Sequence, residues 1–119
     1  MGSEWNDVRQ KILAFRDARD WKQFHTPNQL AAAIAIEAAE LQEHFLWKTP
    51  DEVREKVANL AKRQAVAEEL ADIFIFALLL ADELGVEPID IIRRKLEENE
   101  KKYPVAKSRG TSAKYTELT

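Results

Sequence analysis

Two stretches decide the fold: LAAAIAIEAAELQEHF, residues 30–45, and VAEELADIFIFALLLA, residues 66–81. Each sets a pair of acids in apolar surroundings, Glu37 and Glu40 in the first and Glu69 and Asp72 in the second. Both pairs are spaced i, i+3, so on a helix the two carboxylates leave one face a single turn apart. A buried carboxylate without a partner is costly, and Asp is a poor mid-helix residue. Asp72 inside LADIFIFALLLA therefore needs a reason. Four carboxylates on two facing helices make an oxygen-lined pocket of the kind a hard divalent cation requires. Glu43 and Glu68 can join that set or face water.

The flanks of these stretches supply helix boundaries. Thr26 with Pro27 and Gln29 is a start signal with a capping box, and Leu30, Ile34, Leu41 and Phe45 form the core stripe of the helix that follows. That helix runs to about Trp47. Thr49, Pro50 and Glu52 repeat the signal. No Gly or Pro interrupts residues 51–84. The expected division is a short polar helix to about Asn59 and a long apolar one from about 61 to 84, stopped by Gly85. Pro88 opens a last helix through Lys102, with Ile89, Ile92, Leu96 and Tyr103 as its seam and Lys95, Asn99 and Lys102 on a neighbouring face. Upstream, residues 3–19 read as a first helix, with Ser3 as N-cap and Trp5, Val8, Ile12 and Phe15 on one stripe. Between them RDWKQFHTPN carries Trp21, Phe24 and His25, which either face a ligand or fold back over the bundle end. The expectation is an all-α bundle of four to five helices over residues 1–104. A basic arm, residues 105–119, is either disordered or folds over a ligand or neighbour. The apolar run from residue 70 to 81 exceeds what one small bundle covers, which predicts a homo-oligomer.

Composition narrows the function classes. At 119 residues the chain suits one domain, and 45% hydrophobic with 33% charged residues suits a soluble helical protein. It has no cysteine, hence no thiolate site and no disulfide, as in a reducing compartment such as the cytoplasm. The first ten residues lack a signal-peptide pattern, and the longest apolar run is too short to span a bilayer. A net charge of −3 argues against a nucleic-acid polymer as ligand. It does not argue against a nucleotide, because basic residues gather late in the chain.

A di-iron bundle would use Glu-x-x-His motifs. The two histidines here, His25 and His44, make none, since Leu41 stands three before His44. That favours an all-oxygen Mg2+ or Mn2+ site and leaves His44 as a surface helix residue. Such a metal, with Lys95, Lys102 and the tail cations, suits a polyphosphate substrate. Trp21, Trp47 and Phe76 can stack on a base, although each alone is more often core packing. No Walker loop, dinucleotide fingerprint or Ser-His-Asp arrangement is present.

Glu37-x-x-Glu40, a gap of 28 residues and Glu69-x-x-Asp72 resemble the ExxE…ExxD signature of the all-α MazG-like nucleotide pyrophosphohydrolases. RDWKQFH, FLWK, the Lys95 to Asn99 spacing, KKYP and KYTEL are similar to the dCTP pyrophosphatase branch, over about residues 5 to 118. The resemblance implies an enzyme that splits a (deoxy)nucleoside triphosphate into monophosphate and pyrophosphate with Mg2+. It implies that Glu37, Glu40, Glu69 and Asp72 hold the metal and that one of them helps activate water. Trp21, His25 and Trp47 would line the base and sugar pocket. Lys95 and Asn99 would reach the nucleotide, and an arm around Lys114 and Tyr115 would close on it. It also implies dimers or tetramers with sites near subunit contacts.

The chain departs from that branch at four positions. Phe76 replaces a Tyr, Ile12 stands where relatives carry His, Asn28 lacks an Arg, and Glu100 takes a usually basic place. None touches the acid pairs. A site that loses hydrogen-bonding groups selects its base less sharply. The reading is a nucleotide-pool cleansing enzyme for dCTP or modified pyrimidine deoxynucleotides. The alternatives are a dUTP or damaged-purine pyrophosphatase and a non-catalytic nucleotide-binding module.

Overall fold

The computed structural model describes residues 3–119, and among them every regular element is helical. Helix α1 spans Glu4–Ala18, α2 Pro27–Glu43, α3 Pro50–Ala58, α4 Leu60–Leu84, α5 Pro88–Lys102 and α6 Val105–Ser108. Short 3-10 turns occupy Lys22–Phe24 and Tyr115–Glu117. The count exceeds the expected four to five because α6 adds a single turn that follows Pro104, closed by Ser108 N–H donating to the Pro104 carbonyl at 2.9 Å. No described helix is long and apolar enough to cross a membrane.

Local chemistry explains the boundaries. Ser3 caps α1 by accepting from the Asn6 N–H at 3.1 Å. Thr49 and Glu52 form a full capping box, each side chain accepting from the other residue's N–H at 3.2 Å. The box expected at Thr26 and Gln29 is not made, and the Thr26 side chain caps nothing. The difference lies at the third helical position: the Glu52 carboxylate gains from the helix dipole, whereas the Gln29 amide carries no charge. Asn59 ends α3 in extended conformation and caps α4 by accepting from the Lys62 N–H at 3.0 Å. One residue thus divides a stretch that has no Gly or Pro. Helix α2 stops at Glu43, short of the expected Trp47, because Trp47 adopts a φ of 64° that no continuing helix allows. Gly85 closes α4 at a φ of 66°, a conformation that suits a residue without Cβ.

Residues up to Gly85 form one compact unit and Val86–Thr119 a second. In the first, α4 is the central element, packed mainly against α2 and also against α3 and α1. Leu30 of α2 and Leu79 and Ala81 of α4 are its buried aliphatic residues. Arg16 is buried beside them. Its guanidinium donates to Asp17 at 2.8 Å and to Asp82 at 2.9 Å, while its carbonyl accepts from the Trp21 N–H at 3.1 Å. Lys22 reaches Glu83 at 3.0 Å. These bonds pin the aromatic loop 19–25 to the end of α4.

Much apolar surface stays open on the same unit. Ile36 is 59% exposed and Phe74 60%, with Leu70 one turn before Phe74. In the second unit, Ile92 and Leu96 of the α5 seam are exposed as well. There the tail turns back on its own helix: the Tyr115 ring meets Tyr103 edge-on at 6.1 Å, and the Lys102 ammonium lies 4.9 Å from the Tyr115 centroid.

Candidate functional site

The face where α2 meets α4 carries the acids. Glu37, Glu40 and Glu69 each offer an oxygen within 4.8 Å of the others. The Glu37 Oε2 is shielded from solvent and has no hydrogen-bond partner. Glu69 and Glu40 beside it, together with burial and the charge of Asp72, push the Glu37 carboxyl up to about 7. Crowded carboxylates repel one another when ionised, and a bound cation relieves that repulsion. An all-oxygen donor set with one shielded, unsatisfied oxygen fits a hard divalent ion. Asp72 lies outside the three-residue group but near enough to act on Glu37, and it opens into the cavity described next.

That cavity, of about 400 Å³, has mostly apolar walls and brings together Ile12, Phe15, Trp21, His25, Phe76 and Leu79, with Asp72 at its edge. Trp21 packs edge-on against Phe15 at 5.7 Å and stands 6.3 Å from the His25 ring. The His25 Nδ1 is buried with no hydrogen-bond partner. An apolar cavity of this size with a few polar groups on its walls is the usual form of a small-molecule site. Three residues expected to line a base pocket, Trp21, His25 and Phe76, therefore share one wall system. Ile12, noted as a departure, belongs to it too.

Trp47 does not. It projects into solvent, 92% exposed, and lines none of the depressions beside the acids. Lys95, Asn99, Lys102, Lys114 and Tyr115 belong to the second unit. Within it Lys102 meets Tyr115, and Lys95 lies 3.5 Å from Glu98, one turn on.

Two residues near the acids were not anticipated. His44, expected on the surface, is half-buried with its Nε2 3.9 Å from Glu69, because α2 ends there and the ring turns toward α4. The spacing Glu37, Glu40, His44 repeats the intervals three and four and carries that signal. Lys56 of α3 donates to the His44 carbonyl at 2.7 Å. It shares a depression of about 320 Å³ with Glu40, Glu43, His44 and Glu69. No periodicity in α3 marks Lys56, since its position follows from the turn between α2 and α3.

With fold and site in view, the relatives agree. The profile of the MazG-like family matches residues 32–118, and the chain belongs to that family. The chain is 38% identical over 112 residues to dCTP pyrophosphatase 1 of Bos taurus and equally to that of Homo sapiens. Each match covers 94% of this chain and 66% of the relative, so the chain spans just under two thirds of their length. The crystal structure of a pyrophosphatase from Archaeoglobus fulgidus superposes with a TM-score of 0.81 at 39% identity, over 87% of this chain and 95% of that one.

Proposed function

We propose that this protein hydrolyses (deoxy)nucleoside triphosphates to monophosphate and pyrophosphate in a Mg2+-dependent reaction, with Mn2+ as a substitute. The favoured substrates are dCTP or modified pyrimidine deoxynucleotides, and the role is cleansing of the cytoplasmic nucleotide pool. The observation that carries the reading is the shielded, unpartnered oxygen of Glu37 among three converging carboxylates, beside an apolar cavity of base-binding character. The names of the relatives point the same way.

Glu37, Glu40, Glu69 and Asp72 would hold the metal, which supplies charge neutralisation at the phosphate oxygens and lowers the pKa of water. One of the carboxylates takes a proton from the attacking water. The water oxygen bonds to phosphorus as the bridging oxygen between the α- and β-phosphates leaves with its electron pair. Trp21 and Phe76 stack on the base, and the free His25 Nδ1 takes a hydrogen bond at the base or sugar. Phe76 and Ile12 present only apolar surface there, which predicts loose discrimination among bases. Lys95, Asn99, Lys102, Lys114 and Tyr115 are assigned to the nucleotide's phosphates and to closure of the arm, and Trp47 to a neighbouring subunit's contact. Self-association as a dimer or tetramer is part of the reading, because Ile36, Leu70 and Phe74 leave an apolar face uncovered.

Pyrophosphate release from the common dNTPs and NTPs, with Mg2+ and with EDTA, tests it. Metal-dependent release led by a deoxypyrimidine is the expected result. Release spread evenly over the bases would remove the dCTP assignment, and no release from any triphosphate would remove the reaction.

A further inference from the structure

Lys62, Ala65, Glu69, Asp72, Phe76 and Leu79 follow one another on α4 at intervals of three, four, three, four and three. Such spacing puts all six on one stripe. Along it the surroundings change. Phe76 and Leu79 line the apolar cavity, Asp72 its edge and Glu69 the acid cluster. Lys62 and Ala65 line a groove of about 530 Å³ on the other side of the acids. From Ala65 to Phe76 the stripe runs about 16 Å at 1.5 Å per residue. The acids sit between its ends.

The groove carries a small net positive charge. Lys48, Lys56 and Lys62 line it, against Glu52 and Glu55. The Glu52 carboxylate is already engaged in the α3 capping box. Among the described residues none of the three ammonium groups has a carboxylate within ion-pair distance. Lys56 and His44 border both this groove and the depression holding Glu40 and Glu69, so the two adjoin. The bond from Lys56 to the His44 carbonyl fixes the ammonium there and uses one of its three protons, leaving two for a ligand. Burial and the charges of Lys48 and Lys62 hold the Lys56 pKa below the usual lysine value, a repulsion that a bound anion would relieve.

We propose that the Lys48–Lys56–Lys62 groove is a pyrophosphate subsite, which holds the two phosphates leaving the acid cluster on the side away from the base cavity. The subsite's role toward the leaving pyrophosphate rests on the proposed reaction, whereas the affinity for a polyphosphate anion does not. The placement is independent of which phosphorus the water attacks, since both routes separate the monophosphate from pyrophosphate at the same bridge.

Titration calorimetry of the full chain with inorganic pyrophosphate in Mg2+, and separately with deoxycytidine monophosphate, tests the subsite. Lys56→Gln should weaken pyrophosphate binding at least about tenfold, and Lys56→Arg should keep it. The exposed pair Lys48→Gln/Lys62→Gln, which leaves Lys56 and its bond in place, should weaken it too. Monophosphate affinity should change by less than about twofold in all of them. Unchanged pyrophosphate affinity in these variants, or a parallel loss of monophosphate binding, overturns the subsite. The two readings separate cleanly. Loss of pyrophosphate binding in the variants of a protein that releases none from any triphosphate keeps the anion site and removes the reaction. Turnover with pyrophosphate affinity unchanged by the substitutions keeps the reaction and removes the subsite.

Discussion

The two ends of the α4 stripe differ in what they contribute to the molecule. At the Phe76 end the neighbours are Trp21, Phe15 and Leu79, and the last is 4% exposed. At the Lys62 end the neighbours are lysines and glutamates on an open groove. Burial of Leu79 at the first end supports the fold, while the more exposed Phe15 and Trp21 shape the cavity beside it, so stability and binding share this end. At the second end Lys48 and Lys62 are exposed and their interactions are electrostatic, so these two are replaceable at little cost to the fold. One helix face can thus be read twice, and the acids mark the place where the reading changes.

Substitutions can break or sharpen that contrast. The largest effect is expected between the two ends: Glu40→Gln should lower pyrophosphate release roughly a thousandfold at saturating Mg2+, of the order seen when transition-state charge stabilisation is removed. Its thermal midpoint should hardly move, because Glu40 is exposed. Next, Leu79→Ala should cost about 2–5 kcal/mol in urea denaturation, whereas Lys62→Ala should stay within about 0.5 kcal/mol. Equal costs at the two positions would erase the distinction.

A pH series addresses the midpoint of the stripe. The Glu37 carboxyl is raised from 4.5 to about 7 in the fold, so the unfolded chain releases its proton first as pH rises. Without metal, stability should therefore fall between about pH 4.5 and 7 and level off above. Glu37→Gln should flatten that slope in EDTA. Mg2+ binding needs the ionised carboxylate, so apparent affinity should climb to about pH 7 and then hold. The smallest effect concerns the helix starts. Thr49→Ala should cost about 1 kcal/mol and Thr26→Ala only a fraction of that, because only Thr49 makes the capping bond.

How far the sequence could be read follows from the physics of each signal. The acid pairs, the Thr49 start and the Gly85 stop are local patterns that fall on the expected helices, while of the expected α2 stripe Leu30, Ile34 and Leu41 lie on the helix and Phe45 beyond its end. The resemblance implies Trp21, His25 and Trp47 as one pocket and stacking adds Phe76; Trp21, His25 and Phe76 line one cavity in the single chain. The groove lysines left no trace, because a Lys on a short polar helix looks like any solvated residue until a turn brings Lys56 to the end of α2. The α3–α4 boundary falls near Asn59, where the change from polar to apolar sequence places it. It depends on one Asn59 side chain accepting a backbone proton, a choice that hydrophobic periodicity does not record. The exposure of Trp47 in the single chain is equally invisible to spacing, because it follows from a positive φ at one residue.

The 3-4-3-4-3 stripe also makes α4 a ruler with fixed graduations. Adding or removing one residue rotates everything beyond it by about 100°. A deletion between Ala65 and Glu69 would leave acids and cavity aligned with α2 but swing Lys62 off the groove. The same deletion between Asp72 and Phe76 would spare the cations and scatter the cavity wall. Length variation in this chain therefore belongs in the turns around Trp47 and Asn59, and a change of helix length inside α4 should uncouple one end of the ligand from the other.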